Sequence, residues 1–210
     1  VMYDQMYWHL TYGDIQHYNP VTLRPEMRDY TIFIDAISKV FAATGVRVGW
    51  SFGPSVIINK MKAILTHLGA WAPMAEQKAV AHFLANRKAI TTYLSHFKKE
   101  VEERLHRIYD GFVALKNEGL PVDAIAPEAA IYLTIKIELA GKKTAEGKVL
   151  ENQSDVTAYI LNEAKLAVVP FYAFGASPTS AWYRLSVGTC KKEEINEMIQ
   201  KLREALLKIL

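Results

Sequence analysis

The sequence predicts an α/β chain in two parts: the end of an α/β domain over residues 1–95, a long connecting helix over 96–118, and a small α+β domain over 119–210. Three observations carry this. Apolar residues recur every three or four positions from Leu94 through Phe97, Val101, Leu105, Ile108 and Phe112 to Leu115, the repeat of one face of a single long helix. After it, Ile131, Leu133, Ile135, Ile137 and Leu139 alternate with polar or amphipathic neighbours, the pattern of a half-buried antiparallel strand. Before it, short apolar runs are punctuated by Gly45, Gly49 and Gly53-Pro54.

Taken in order, Val1-Met2-Tyr3 reads as a strand entered halfway, without the charged and apolar regions of a signal peptide, so the chain is expected to be a piece of a longer protein. Residues 8–30 read as loop. Thr31–Asp35 is a short apolar strand, and Val46, Val48, Trp50 and Phe52 alternate as a second one. Pro54-Ser55 opens a helix whose face carries Ile57, Ile58, Met61 and Leu65. Gly69 to Pro73 breaks it, and helical spacing resumes over 75–90 through Val80, Phe83 and Leu84. Gly119 and Pro121 end the long helix. A polar loop over 140–151, a helix over Val156–Lys165, a strand over Leu166–Pro170, a loop over 175–180, a strand over Trp182–Val187 and a closing helix over 191–210 complete the chain.

Composition excludes several classes. Half of the 210 residues are hydrophobic and 22% are charged, too apolar for a disordered chain. The formal charge of +3 is spread along the sequence, so no nucleic-acid partner is expected. No run approaches the ~18 apolar residues of a membrane span. The single cysteine, Cys190, excludes an intramolecular disulfide framework and fits a reducing, cytoplasmic setting. The histidines never fall in His-Glu-x-x-His spacing, and no metal is expected. No Gly-x-Ser-x-Gly elbow is present, and glycines four apart at 45, 49 and 53 match neither a dinucleotide fingerprint nor a P-loop.

Chemistry concentrates in Asp35-Ala36-Ile37-Ser38-Lys39-Val40-Phe41-Ala42-Ala43-Thr44-Gly45-Val46-Arg47-Val48-Gly49. Lys39 follows an apolar strand among small residues, where desolvation favours a neutral, nucleophilic amine. Arg47 stands eight residues on, and a guanidinium between glycines suits a phosphate. Taken singly, these are also the features of a surface lysine and a structural ion pair.

The whole string resembles the cofactor-lysine motif of the fold-type I, class I and II aminotransferases: Ser38-Lys39, small residues, then Gly45-x-Arg47-x-Gly49. Asp4 and Tyr7 fit that family's Asp and Tyr upstream of the lysine, and Gln77 its Gln before the long helix. Val168-Val169-Pro170 and Phe174-Gly175 resemble its strand and loop before a substrate arginine, which falls on Arg184. The resemblance implies a pyridoxal 5'-phosphate enzyme, a homodimer, moving an amino group from an amino acid to a 2-oxo acid. It implies that Lys39 bonds to the cofactor and shuttles the substrate proton. Asp4 would hold the pyridine nitrogen's proton, Tyr7 would donate to the phenolic oxygen, and Ser38 and Arg47 would bind the phosphate. Arg184 would clamp the substrate α-carboxylate, and a glycine-rich phosphate loop would come from an amino-terminal half. Two departures stand out: Ala36 replaces a frequent serine, and the segment His67–Pro73 lacks a second substrate arginine. Two other readings stay open on the same residues, a carbon–sulfur lyase on this scaffold, and a non-catalytic piece acting in folding or dimerisation, since 210 residues alone need not be active.

Overall fold

The computed structural model describes residues 1–209. They divide into two compact units, Val1–Lys98 and a second beginning at Lys99.

The first unit holds a three-stranded sheet in the order β1-β2-β3, formed by β1 (Met2–Asp4), β2 (Ile32–Ala36) and β3 (Gly49–Phe52). β1 runs parallel to β2, with Asp4 beside Ile34; β3 runs antiparallel to β2, with Gly49 opposite Ala36. Gly49 fits a close approach: a Cβ there would press on the Asp35 carbonyl oxygen at 3.0 Å and the Ala36 Cβ at 3.1 Å. Phe33 and Phe52, cross-strand partners, stack with ring centroids 4.7 Å apart. Behind the sheet, Ile37, Val48 and Val80 form a small core packed by Phe41, Val46, Trp50 and Leu84.

Between β1 and β2 the segment expected as loop contains the short helix α1 (Pro20–Leu23), capped by Asn19, and a 3-10 helix over Pro25–Tyr30. Both begin with proline, whose fixed φ and missing N–H suit a first helical turn. The alternation from Val46 to Phe52 gives a strand only from Gly49. Thr44–Val46 is a 3-10 turn and Arg47 is left-handed, so Val46 and Val48 alternate as core residues of a loop. Helix α2 (Ser55–Leu68) stops at left-handed Gly69, and helix α3 (Met74–Ala85) follows the Gly69–Pro73 break.

Helix α4 (Arg87–Asn117) buries Val101, Leu105, Ile108, Phe112 and Leu115, spaced four and three apart. The second unit has an antiparallel four-stranded sheet in the order β4-β5-β7-β6. Its strands are β4 (Val122–Ala124), β5 (Tyr132–Ile137), β6 (Val169–Pro170) and β7 (Trp182–Ser186). Helix α5 (Gln153–Glu163) is capped by Asn152, whose side chain accepts from the Ser154 and Asp155 N–H groups, and helix α6 (Ile195–Leu207) closes the unit. Leu133, Ile135, Ile137, Tyr183 and Leu185 fill the core beneath the sheet. β4 was not foreseen, being too short to show a period. Of the strand expected over Leu166–Pro170, only Val169–Pro170 pairs as strand, while Leu166 and Val168 are buried. Among the described residues no helix is long and apolar enough to cross a membrane.

Candidate functional site

Strand directions gather the candidate residues of the first unit. β1 and β2 are parallel, so their carboxyl ends share one edge of the sheet, and antiparallel β3 begins at that edge. Asp4 ends β1, and Tyr7 lies in the turn that follows. Ser38 and Lys39 lie in the turn after β2, and Arg47 sits two residues before β3. The carboxyl ends of parallel strands are where open α/β sheets bind ligands.

The local backbone is built for this placement. Trp8 N–H donates to the Gln5 carbonyl at 3.0 Å and Leu10 N–H to the Tyr7 carbonyl at 2.8 Å, closing the turn that carries Tyr7. After β2, Ala42 N–H donates to the Lys39 carbonyl at 3.1 Å. Two non-glycine residues of this loop have left-handed φ, Ala42 at 49° and Arg47 at 60°. Such a backbone costs on the order of 1–3 kcal/mol per residue and concentrates where chemistry fixes the chain.

The side chains are largely uncommitted. Asp4 is exposed and accepts one hydrogen bond, from Met6 N–H at 3.1 Å on Oδ1. Lys39 is half-buried and Ser38 nearly buried, and among the described residues neither side chain has a hydrogen bond or ion pair. Arg47 is exposed and uses Nη1 to donate to the Thr44 carbonyl at 2.8 Å. It also lines an open cavity of about 600 Å³ with Ala36, Trp50, Trp71 and Gln77, whereas Asp4, Ser38 and Lys39 lie outside that lining. Gln77 donates through Nε2 to the Ala72 carbonyl at 2.6 Å, tying α3 to the segment before it. Among the described residues no group of three or more His, Cys, Asp or Glu side chains could hold a metal ion.

Asp35, to which the sequence assigned no role, lies beside these residues. It is only 7% exposed. Its carboxylate accepts from Ala36 N–H at 2.7 Å, Trp8 Nε1 at 3.1 Å and Gln5 Nε2 at 3.4 Å. It thereby joins the Tyr7-bearing turn to the strand that leads to Lys39. Burial pushes its carboxyl above the ordinary aspartate range, against the pull of these hydrogen bonds. Burial also pushes the His9 imidazole down, opposed by the Asp35 charge. Its phase with buried Thr31 and Phe33 marks Asp35 as a buried strand position but names none of its partners.

In the second unit, Trp182, Arg184 and Ser186 share one face of β7, and Tyr183 and Leu185 the buried one. Arg184 pairs in register with Thr134 of β5 and Val169 of β6. Its guanidinium carbon lies 4.4 Å from the Tyr132 ring centroid and 4.6 Å from that of Phe174. Among the described residues no carboxylate pairs with it.

Cysteine Cys190 is a poor nucleophile candidate, because burial pushes its thiol up.

Comparison with known proteins gives the family and the fold. Residues 1–202 match the family described as aminotransferase class I and II. An aspartate aminotransferase of Rhizobium meliloti is 30% identical over 98% of this chain and 48% of its own length. A probable aspartate/prephenate aminotransferase of Rhizobium leguminosarum bv. phaseoli is 31% identical over 97% of the chain and 48% of its own. Among solved structures, the Rhizobium meliloti aspartate aminotransferase superposes on the whole chain with a TM-score of 0.88 at 27% identity, using 50% of that structure. An aromatic aminotransferase from Pyrococcus horikoshii gives 0.81 at 27% identity, over 98% of this chain and 50% of its own. The chain thus spans about half the length of the relatives it matches.

Proposed function

The chain belongs to the class I and II aminotransferase family, and from that premise we propose that it carries the lysine-bearing part of an enzyme that moves an amino group from an amino acid to a 2-oxo acid. Members of this family use pyridoxal phosphate. The residues fit such a group. A hydroxyl (Ser38), two cations (Lys39, Arg47) and a carboxylate (Asp4) fall along one sheet edge, and no ion pair joins them among the described residues. That convergence of unspent charge is the observation that carries the reading. When bound, the cofactor supplies an electron sink conjugated to the substrate's α-carbon.

Each residue then has a role set by its chemistry. Arg47 holds a phosphate by a charge-assisted fork, with the Ser38 hydroxyl beside it. Asp4 holds a proton at the pyridine nitrogen. Tyr7 donates its hydroxyl proton toward the phenolic oxygen. Lys39 would be the amine that holds the cofactor, and its free amine would move the proton at the substrate's α-carbon. Arg184 grips the α-carboxylate and so orients the bond to be broken.

The substrate reading stops at an α-amino acid. The relatives named for aspartate support a dicarboxylate, but residues 67–73 of this chain hold no second arginine. A homodimer is supported by α2, none of whose residues is buried and whose Val56, Ile64 and Leu68 stand exposed. A cytoplasmic setting is supported by the lone thiol. The test is direct: the complete protein, given an α-amino acid and a 2-oxo acid, should release a new amino acid, and Lys39→Ala should lower the rate by about 10²–10⁴-fold or more. Release of ammonia with no new amino acid would contradict the proposal.

A further inference from the structure

We propose that Tyr132 and Phe174 are positioning residues: their ring faces hold the Arg184 guanidinium in place without occupying its N–H donors, so that the fork stays free for a substrate carboxylate. The inference rests on the reading of Arg184 given above. Two ways exist to fix an arginine in a partly open place. A carboxylate can pair with it, which spends the donors on an internal partner. An aromatic face can attract its charge through the ring quadrupole, which leaves the donors unspent.

Arg184 follows the second way twice over, with its guanidinium carbon 4.4 Å from one ring centroid and 4.6 Å from the other, both inside the ~6 Å reach of a cation–π contact. Among the described residues nothing accepts a hydrogen bond from its side chain, and no carboxylate pairs with it. Lys136, on the neighbouring strand, shows the contrast. Its ammonium lies 5.9 Å from the Trp182 ring centroid, yet it also pairs with Glu138 at 2.7 Å. A cation with a structural task has found its anion, whereas Arg184 has been given walls instead.

The fold supplies both walls. Thr134 faces Arg184 across the β5–β7 ladder, so Tyr132, two residues along, is its diagonal neighbour on the same face. Phe174 ends the 3-10 turn over Phe171–Phe174, where left-handed Gly175 reverses the chain with φ 91°. Phe174 is 56% exposed, so its ring covers the arginine without anchoring a core, and its replacement should leave the fold intact.

The experiment uses the complete protein loaded with pyridoxal phosphate. Half-reaction kinetics are compared on alanine and on ethylamine, which lacks the carboxylate, and propionate binding is followed by calorimetry. Phe174→Leu and Tyr132→Leu should each raise the apparent dissociation constants for alanine and propionate by roughly three- to tenfold. Both should leave the ethylamine reaction within about twofold, and Phe174→Tyr, which keeps a ring face over the guanidinium, should keep parental values. Loss on alanine and ethylamine alike, or propionate binding unchanged in both leucine variants, would overturn the proposal. Arg184→Ala separates the two claims. If it abolishes the preference for alanine while the leucine variants keep it, the aromatic walls are refuted and the role of Arg184 stands. If Arg184→Ala keeps that preference, both fall.

Discussion

Asp4 and Asp35 show how two carboxylates of the same type take different work from their surroundings. Asp4 is exposed at the end of β1 with a single backbone donor, so little of the fold leans on it. Asp4→Ala should therefore shift stability by no more than about 0.5 kcal/mol. It should slow α-proton removal strongly, by about two orders of magnitude or more if the carboxylate holds the ring proton. Rapid-mixing measurement of the half-reaction checks this, and near-parental rates would refute the role. Asp35 is the opposite case: buried, triply hydrogen-bonded and raised above its ordinary 3.8. An aspartate raised on folding binds its proton more tightly in the native state. Its contribution to stability is therefore fully present below about pH 3.8 and is lost as pH rises through the higher folded value. Carboxyl-carbon NMR should give Asp35 a midpoint above 3.8; a midpoint at or below it would mean the hydrogen bonds outweigh burial. The resemblance to the aminotransferase motif picked out Asp4, by its spacing to Tyr7 and Lys39. It could not separate Asp35, whose partners Gln5 and Trp8 lie 30 and 27 positions away.

At the scale of elements, the β2–β3 pair decides where Arg47 stands. Gly49 permits the approach, since a Cβ there would lie 3.0 Å from the Asp35 carbonyl oxygen and 3.1 Å from the Ala36 Cβ. Gly49→Ala should cost about 1–3 kcal/mol by overpacking, because the obstructing atoms belong to backbone and to a Cβ that cannot rotate away. It should also weaken cofactor retention, since Arg47 is only two residues from the displaced strand end. Denaturant midpoints and dialysis of the loaded protein measure both, and an alanine variant of parental stability would mean β3 can slide at no cost. The elements with many repeats were legible. Helix α4 showed its buried stripe from Val101 to Leu115, and β5 its alternation, because burial on one side forces a period. The elements without room for a period were not: α1, β4 and the left-handed turn at Arg47, whose valines imitate a strand because they alternate into a core.

For the molecule as a whole, the sequence offered the candidate site as a set of spacings and gave none of its contacts. Lys39, Arg47, Asp4 and Tyr7 were named by matching their spacing to the motif of the aminotransferases that the chain resembles. The parallel pairing of β1 with β2 and the reversal into β3 explain why those intervals meet at one edge. The aromatic walls around Arg184 had no such interval, because Tyr132 and Phe174 reach it from separate elements. The central claim is that Lys39 is the residue to which the cofactor is bound, and one measurement addresses it without reference to substrate. The complete protein is saturated with pyridoxal phosphate, reduced with borohydride, digested and mapped by mass spectrometry. The account predicts a stable pyridoxyl adduct on Lys39, lost in Lys39→Arg. An adduct on Lys60, Lys62 or another lysine, with Lys39 unmodified, would contradict it.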